Sequence, residues 1–294
     1  MEKILPKFFS SALSIGAIFL MSAVSSGCSS VGSSNEADEY SFIRLPGGGV
    51  GIEMVKIDAG VLQREKSAPV NISRSYWIGK YEVTQAQFEA VMGYNPAKKA
   101  VGGSRASFNM PVIDISWYRA KKFCRRLNTI YKGRLPEGYQ FDLPTVAQWE
   151  YACCAGTSMA EQEKYYDGLF RVAGWTYFES PEEVQPVGLK RPNAWGIFDM
   201  HGNAQEWCLN FDEAVAEKYQ DYPGSKDEYA TICGWGIFTE HFQLGELSCF
   251  VLKKIYKHWD YGFRVALVPV EKADTADYDY TMERSDAVDI TEDM

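Results

Sequence analysis

The chain has 294 residues, 46% of them hydrophobic and 14% aromatic, which is enough to bury a full core in one large domain with tails and too apolar for a disordered protein. Its formal charge of −9 sits largely at the C-terminus: Glu271 to Met294 carry nine acids against two bases, a balance of −7, which leaves the body near −2. A body without a basic field excludes nucleic acid as a partner.

Lys3 and Lys7 precede the uncharged run FFSSALSIGAIFLMSAV, and SSGCSS follows it. That order of charged, apolar and small residues is a secretory signal. Gly27 and Cys28 close it in the pattern of a bacterial lipoprotein signal, with a departure at Ser25, where an aliphatic residue is usual. Residues 1–27 are thus expected to be removed and Cys28 to carry lipid; a plain signal peptide or an uncleaved anchor is the alternative. Each buried acyl methylene contributes ~0.8 kcal/mol, so a multiply acylated Cys28 would hold the chain at a membrane. Ser29 and Ser30 offer no acidic signal for inner-membrane retention, so the outer membrane, facing the periplasm, is the expected location, with exposure at the cell surface as the alternative. Residues 28–40 read as a flexible tether, 41–270 as one domain, and 271–294 as an acidic tail without fixed structure.

Three helix starts follow. VTQAQFEAVMG offers Thr84 as N-cap and Gln87 three residues on, a capping box, with Phe88, Val91 and Met92 as its apolar stripe and Gly93 as its end. ISWYRAKKFCRRLN starts at Ser116 and repeats apolar residues at Trp117, Ala120, Cys124 and Leu127, leaving Arg125 and Arg126 on the opposite face. LPTVAQWEYACCAG repeats the capping box at Thr145 and Gln148 and stops at Gly156. Strands are expected in IEMVKI, SYWIGKYEV and YGFRVALV, separated by long loops rich in Gly, Asn and Pro.

Besides Cys28 there are six cysteines: Cys124, Cys153, Cys154, Cys208, Cys233 and Cys249. Export permits disulfides, but no CxxC motif is present and sequence cannot choose among the pairings. Most of the six are expected to be buried thiols acting as small apolar groups. Three histidines without HExxH spacing exclude zinc peptidase chemistry, and no GxSxG elbow is present. LPGGGVG lacks the Lys-Ser/Thr ending of a phosphate loop. Trp175, Trp195, Trp235 and Trp259 read as core rather than sugar platforms.

The blocks YWIGKYEVTQAQFEAVMGYNPA, MPVIDISWYRAKKFCRRLN, FDLPTVAQWEYACCAGT, PVGLKRPNAWGIFDMHGNAQEWC and YGFRVAL, in this order from about Glu53 to Leu267, resemble the formylglycine-generating enzyme, or sulfatase-modifying factor, family. The resemblance implies an α+β variant of the C-type lectin fold, with small antiparallel sheets, few helices and much loop. It also implies calcium at the turn DMHGNAQEWC. Asp199 and Glu206 would bind by side chain and Gly202 and Ala204 by backbone oxygen, an all-oxygen shell suited to Ca²⁺. A metal-free turn fixed by hydrogen bonds from Asn203 and Gln205 is the alternative.

Members of this family oxidise a sulfatase cysteine to formylglycine with O₂, using two cysteines spaced five apart that bind Cu(I), a metal that prefers soft thiolates. In the corresponding window Cys249 is the candidate catalytic or vestigial cysteine, and Lys254 stands five residues later. Cu(I) binding is therefore not expected, unless Cys233, sixteen residues before Cys249, supplies the partner; a disulfide or two unrelated core thiols explains that pair equally well. Two functions compete. One is a lipid-anchored, non-catalytic domain that binds or scaffolds an envelope protein or glycan; lipoproteins of this family also serve in secretion and gliding machinery. The other is a formylglycine-type oxidase with an altered site. The missing second cysteine favours binding.

Overall fold

The computed structural model describes residues 39–64, 68–97, 108–166, 172–177, 180, 183–212, 225–237 and 249–270. The chain divides into Met1–Ser34 and Asn35–Met294, and every described residue lies in the second unit. The signal, Cys28, most of the tether and the acidic tail lie outside the described residues. Tyr40 is buried, packs edge-on against Trp77 at 5.4 Å and donates its hydroxyl to the Arg134 carbonyl at 3.3 Å.

A five-stranded antiparallel sheet is built from β1 (Phe42–Arg44), β2 (Gly51–Ile57), β5 (Tyr76–Gly79), β6 (Tyr139–Asp142) and β11 (Ala266–Pro269), in the order β1-β2-β5-β11-β6. Both of its faces are covered, which the sequence of β5 shows. Trp77 enters one core cluster with Phe88, Phe123 and Leu267, while Tyr76 and Ile78 enter a second with Trp149, Ala266 and Val268. Side chains alternate faces along a strand, so a strand buried on both sides reads as one apolar run.

A small hairpin joins β3 (Gly60–Leu62) to β4 (Val70–Ile72), and a third sheet runs β10-β7-β8-β9, from β7 (Gln205–Trp207), β8 (Tyr229–Cys233), β9 (Cys249–Lys253) and β10 (Tyr261–Gly262). The β10–β7 pair is parallel, so this sheet is not wholly antiparallel. The run YGFRVALV divides between two sheets, with Phe263, Arg264 and Val265 bridging β10 and β11. SYWIGKYEV likewise yields only the four residues of β5, after which the Gly79 N–H bonds the Val265 carbonyl at 2.8 Å.

The capped helices form where their caps stand. In α1 (Gln85–Met92) both halves of the Thr84/Gln87 capping box are made, and Gly93 ends the helix at φ 82°. In α2 (Trp117–Ile130) the Ser116 hydroxyl accepts from the Arg119 N–H. Its face of Trp117, Ala120, Phe123, Cys124 and Leu127 is buried, with Phe123 stacked on Phe88 and edge-on to Phe263 at 5.3 Å. Truncating such a ring to alanine costs roughly 3–5 kcal/mol, which makes Phe123 the weakest point to cut in this layer. Arg126 is exposed on the face opposite the apolar stripe, as the helical pattern suggests, and its guanidinium also donates to the Val91 and Met92 carbonyls, closing the C-terminal end of α1 where a cation is favourable.

α3 (Val146–Cys154) makes the Thr145/Gln148 box but ends at Ala155, held left-handed at φ 49°, one residue before the expected Gly156. A further helix, α4 (Met159–Tyr165), starts at a Ser158/Glu161 capping box not singled out from sequence.

Candidate functional site

The turn at Asp199 is left-handed at two places, with φ 59° at Asp199 and 74° at Asn203. Asx side chains tolerate that region because they can bond locally. Here the bonds run across the fold. Asn203 donates its amide to Glu82 Oε2 at 2.9 Å and to the Gln185 carbonyl at 3.1 Å, and accepts from the Gln185 N–H. The Ala204 N–H donates to Glu82 Oε1 at 2.8 Å. Gly202 packs directly on the Trp175 backbone, so any Cβ there would collide with it. Asn203 therefore fixes the turn as the metal-free alternative requires, but through Glu82, a residue the sequence did not single out. Its signal lay in the run YEVTQ, where an acid stands between apolar residues ahead of the Thr84 cap.

Glu206 is clamped. Arg264 donates Nε to Oε2 and Nη2 to Oε1, both at 2.6 Å, and Trp149 Nε1 donates to Oε2 at 2.8 Å. The same guanidinium reaches the Gly79 and Phe198 carbonyls at 3.0 Å. Bidentate pairing of this kind is strong and directional. Trp207, next in the chain, is fully buried and donates to the Ile115 carbonyl at 2.8 Å.

Three buried carboxylates, Glu82, Asp199 and Glu206, thus face one guanidinium, a formal balance of −2 if all are ionised. Burial, with Asp199 and Glu206 nearby, pushes the Glu82 carboxyl well above its ordinary range. Burial raises Asp199 to about 6 against the pull of the Gly188 N–H, which bonds its Oδ2 at 2.7 Å. The other oxygen, Asp199 Oδ1, is buried without a hydrogen-bond partner. Burial opposes the charge of Arg264, yet Glu206 outweighs it and the guanidinium stays firmly charged.

Calcium fits this turn in three respects: the donors are oxygens, the cluster is net negative, and one buried carboxylate oxygen lacks a partner. It fits poorly at Glu206, whose oxygens already serve Arg264 and Trp149. Among the described residues no three His, Cys, Asp or Glu side chains converge as a metal site. A cation here would rest on Asp199, with the Gly202 and Ala204 carbonyl oxygens and a shared Glu206.

The C-terminal window is closed. Cys233 and Cys249 face each other across β8 and β9, Cα atoms 4.1 Å apart, and are joined in a disulfide. Neither is accessible, at 0% and 5% exposure. Cys249 therefore carries no thiol in this state. Lys254 is not a solvent ammonium: its Nζ donates to the Asp227 carbonyl at 2.9 Å and lies 4.4 Å over the Trp117 ring, and burial lowers its pKa. The other four cysteines are buried thiols, as expected. Beside this window His258 Nδ1 bonds the buried Asp260 carboxylate at 2.6 Å, a pair sequence reading did not pick out. Of the four tryptophans read as core, Trp235 is buried and Trp175 and Trp195 are half-buried, but Trp259 is 59% exposed.

The sulfatase-modifying factor enzyme 1-like domain matches residues 29–268. The chain belongs to the sulfatase-modifying factor family. A chaperone protein LppX of Paenibacillus barcinonensis is 27% identical over 245 residues, covering 65% of this chain and 79% of that one. The formylglycine-generating enzyme of Streptomyces coelicolor is 29% identical over 115 residues, covering 35% of this chain and 33% of the enzyme. Among solved structures, Treponema denticola variable protein 1 superposes with TM-score 0.59 at 26% identity, covering 76% of this chain and 97% of that one. CarF superposes with TM-score 0.52 at 19% identity, covering 75% and 99%, which speaks to fold alone. The fold is the α+β, C-type lectin-like architecture of the family, with few helices, small sheets and much loop.

Proposed function

We propose that this chain is a non-catalytic binding or scaffold domain of the sulfatase-modifying factor fold, held at the cell envelope by lipid on Cys28, where it engages an envelope protein or glycan such as a component of a secretion or gliding assembly. The observation that carries this reading is the closed window. Cys249, the candidate catalytic cysteine, is spent in a buried disulfide with Cys233, and the position five residues on holds a lysine pinned over Trp117. A two-thiolate copper site needs both sulfurs reduced and reachable. The similarity to a protein named a chaperone, extending over 65% of this chain, agrees with a binding role.

The test is Cu(I) titration of the protein as isolated, without reductant. No binding tighter than an exposed thiol gives is expected; stoichiometric tight binding lost in Cys249→Ser would overturn the reading. For the anchor, fatty-acid labelling should be present in wild type and absent in Cys28→Ala, and equal labelling would remove it. Fractionation of labelled protein with the outer membrane tests the location.

One observation favours the oxidase alternative: the fold brings Cys233 and Cys249 together, so reduction would leave two thiols side by side. Their burial weighs against it.

We also propose calcium at the turn, supported by the Asp199 Oδ1 atom and the cluster charge. At one hundred times the dissociation constant a bound ion adds about 2.7 kcal/mol, so Ca²⁺ should raise the melting temperature over chelator in wild type and not in Asp199→Asn. Equal melting temperatures in wild type would refute it.

A further inference from the structure

Five consecutive residues, Ile255 to Trp259, are exposed in the loop between β9 and β10, and three of them are large and apolar: Ile255 at 47%, Tyr256 at 51% and Trp259 at 59%. Scattered apolar residues on a surface need no explanation, whereas three within five positions form a patch. The loop is two tandem turns, closed by the Tyr256 N–H on the Lys253 carbonyl and the Tyr261 N–H on the His258 carbonyl. Its feet are fixed. Lys254 is buried over Trp117 and its carbonyl takes the Trp117 N–H; Asp260 is buried and bonds His258; the Asp114 N–H bonds the His258 carbonyl. The result is an exposed tip on a rigid base, with apolar residues already ordered before any partner arrives.

We infer that this tip docks on a lipid surface, inserting Trp259, Tyr256 and Ile255 at the level of the headgroups. A peptide or sugar chain calls for a groove, and a cavity of about 380 Å³ lies elsewhere, lined by Ile72, Arg74, Gln140, Thr145 and Val270. Tryptophan and tyrosine beside an aliphatic residue, with Lys253 before them and Lys257 among them, is the composition that the boundary between headgroup and acyl chain selects. The local charge agrees with a mixed bilayer rather than a strongly charged partner, since Lys257 is offset by Asp114 and His258 by Asp260.

Chain length allows it. The tip is bonded to the first residue of α2, while the Tyr131 hydroxyl beyond the last residue of α2 bonds the Arg44 carbonyl in β1. The tip and the start of the domain are thus separated by a 14-residue helix, about 21 Å. The eleven residues between Cys28 and Tyr40 reach roughly 40 Å fully extended, so a chain anchored at Cys28 can lay the tip on the same membrane. Tethering turns a weak contact into an intramolecular one, so a modest affinity suffices.

This inference rests on the envelope reading only for the membrane being near, and its test uses the chain from residue 29, which contains every described element and carries no lipid. Failure of Cys28 acylation would leave the outcome untouched. Vesicles of four parts phosphatidylethanolamine to one part phosphatidylglycerol should co-sediment the wild type. Trp259→Ala with Tyr256→Ala should lower partitioning roughly tenfold or more. Phe42→Ser, removing an exposed ring at the far end of α2, should change it less than about twofold. Because Trp259 is by far the most exposed tryptophan, brominated lipid should quench wild-type fluorescence, and Trp259→Phe should keep partitioning yet lose the quench. Absence of wild-type partitioning, equal partitioning of the double variant, or an undiminished quench in Trp259→Phe would each overturn the inference. So would a tip variant that still binds vesicles but loses a purified envelope protein or polysaccharide, which would make the tip a docking site for that partner instead.

Discussion

The turn at Glu206 and the strand at Cys249 both hold residues that the family resemblance marks for chemistry, and the fold treats them in opposite ways. At the turn the carboxylate is kept and enclosed in a network that ties β5, α3 and the bridge to β11 together through Arg264 and Trp149. At β9 the thiol is joined covalently to its neighbour and the position five residues on is filled by a structural lysine. The first region shows that the family frame is held by charge pairing buried in the core. The second shows two cysteines of neighbouring strands held together as a buried covalent link.

The largest expected effect sharpens the first half of that contrast. Arg264→Met leaves Glu82, Asp199 and Glu206 buried without their cation, and removing one partner of a buried pair costs about 3–5 kcal/mol. Urea denaturation should show that loss, and adding Glu206→Leu should recover only part of it, because Glu82 and Asp199 also lean on the guanidinium. Full recovery would mean that Arg264 serves Glu206 alone.

Next comes the disulfide. Cys233→Ser with Cys249→Ser should cost about 3 kcal/mol, mainly by freeing the unfolded chain, while leaving the fold intact by circular dichroism. Peptide mapping without reductant should recover Cys233 and Cys249 in one linked species. Separate peptides would reopen the window.

A smaller effect is written in pH. Asp199 has its folded pKa raised to about 6, above the unfolded value near 3.9, so it stabilises the fold fully below that value and this contribution is lost as pH rises toward 6, up to ~3 kcal/mol. His201, buried and held near 4, works the other way: its folded pKa lies below the ordinary value, so its contribution is complete above pH 6.5 and is lost as pH falls toward 4. Glu82, raised in the same direction as Asp199, adds to the loss with rising pH, so in chelator the wild type should lose stability between pH 4 and 6.5. Asp199→Asn should make that fall shallower, and an unaltered profile would contradict the assigned burial of that carboxylate.

Much of the frame was legible from sequence because it is local. Capping boxes at Thr84 and Thr145 and the stripe from Trp117 to Leu127 are decided within a few residues of one another. What escaped is non-local. Nothing near Glu206 announces Arg264, 58 residues on, or Glu82, more than 120 residues back. The pairing of Cys233 with Cys249 is chosen by the register of β8 on β9, which spacing alone leaves open. The run YGFRVALV looked like one strand because its apolar residues are continuous, and only tertiary pairing divides it between two sheets. Trp259 resembled its buried counterparts in sequence, since exposure is a property of the loop and not of the residue type.

The central claim is that this domain binds and does not oxidise. Incubating the reduced chain with Cu(I), O₂ and a sulfatase-type cysteine peptide, then reading the peptide mass, addresses it most directly. The peptide is expected to leave unchanged, in wild type and in Cys249→Ser alike; an aldehyde formed by wild type and lost in Cys249→Ser would contradict the account.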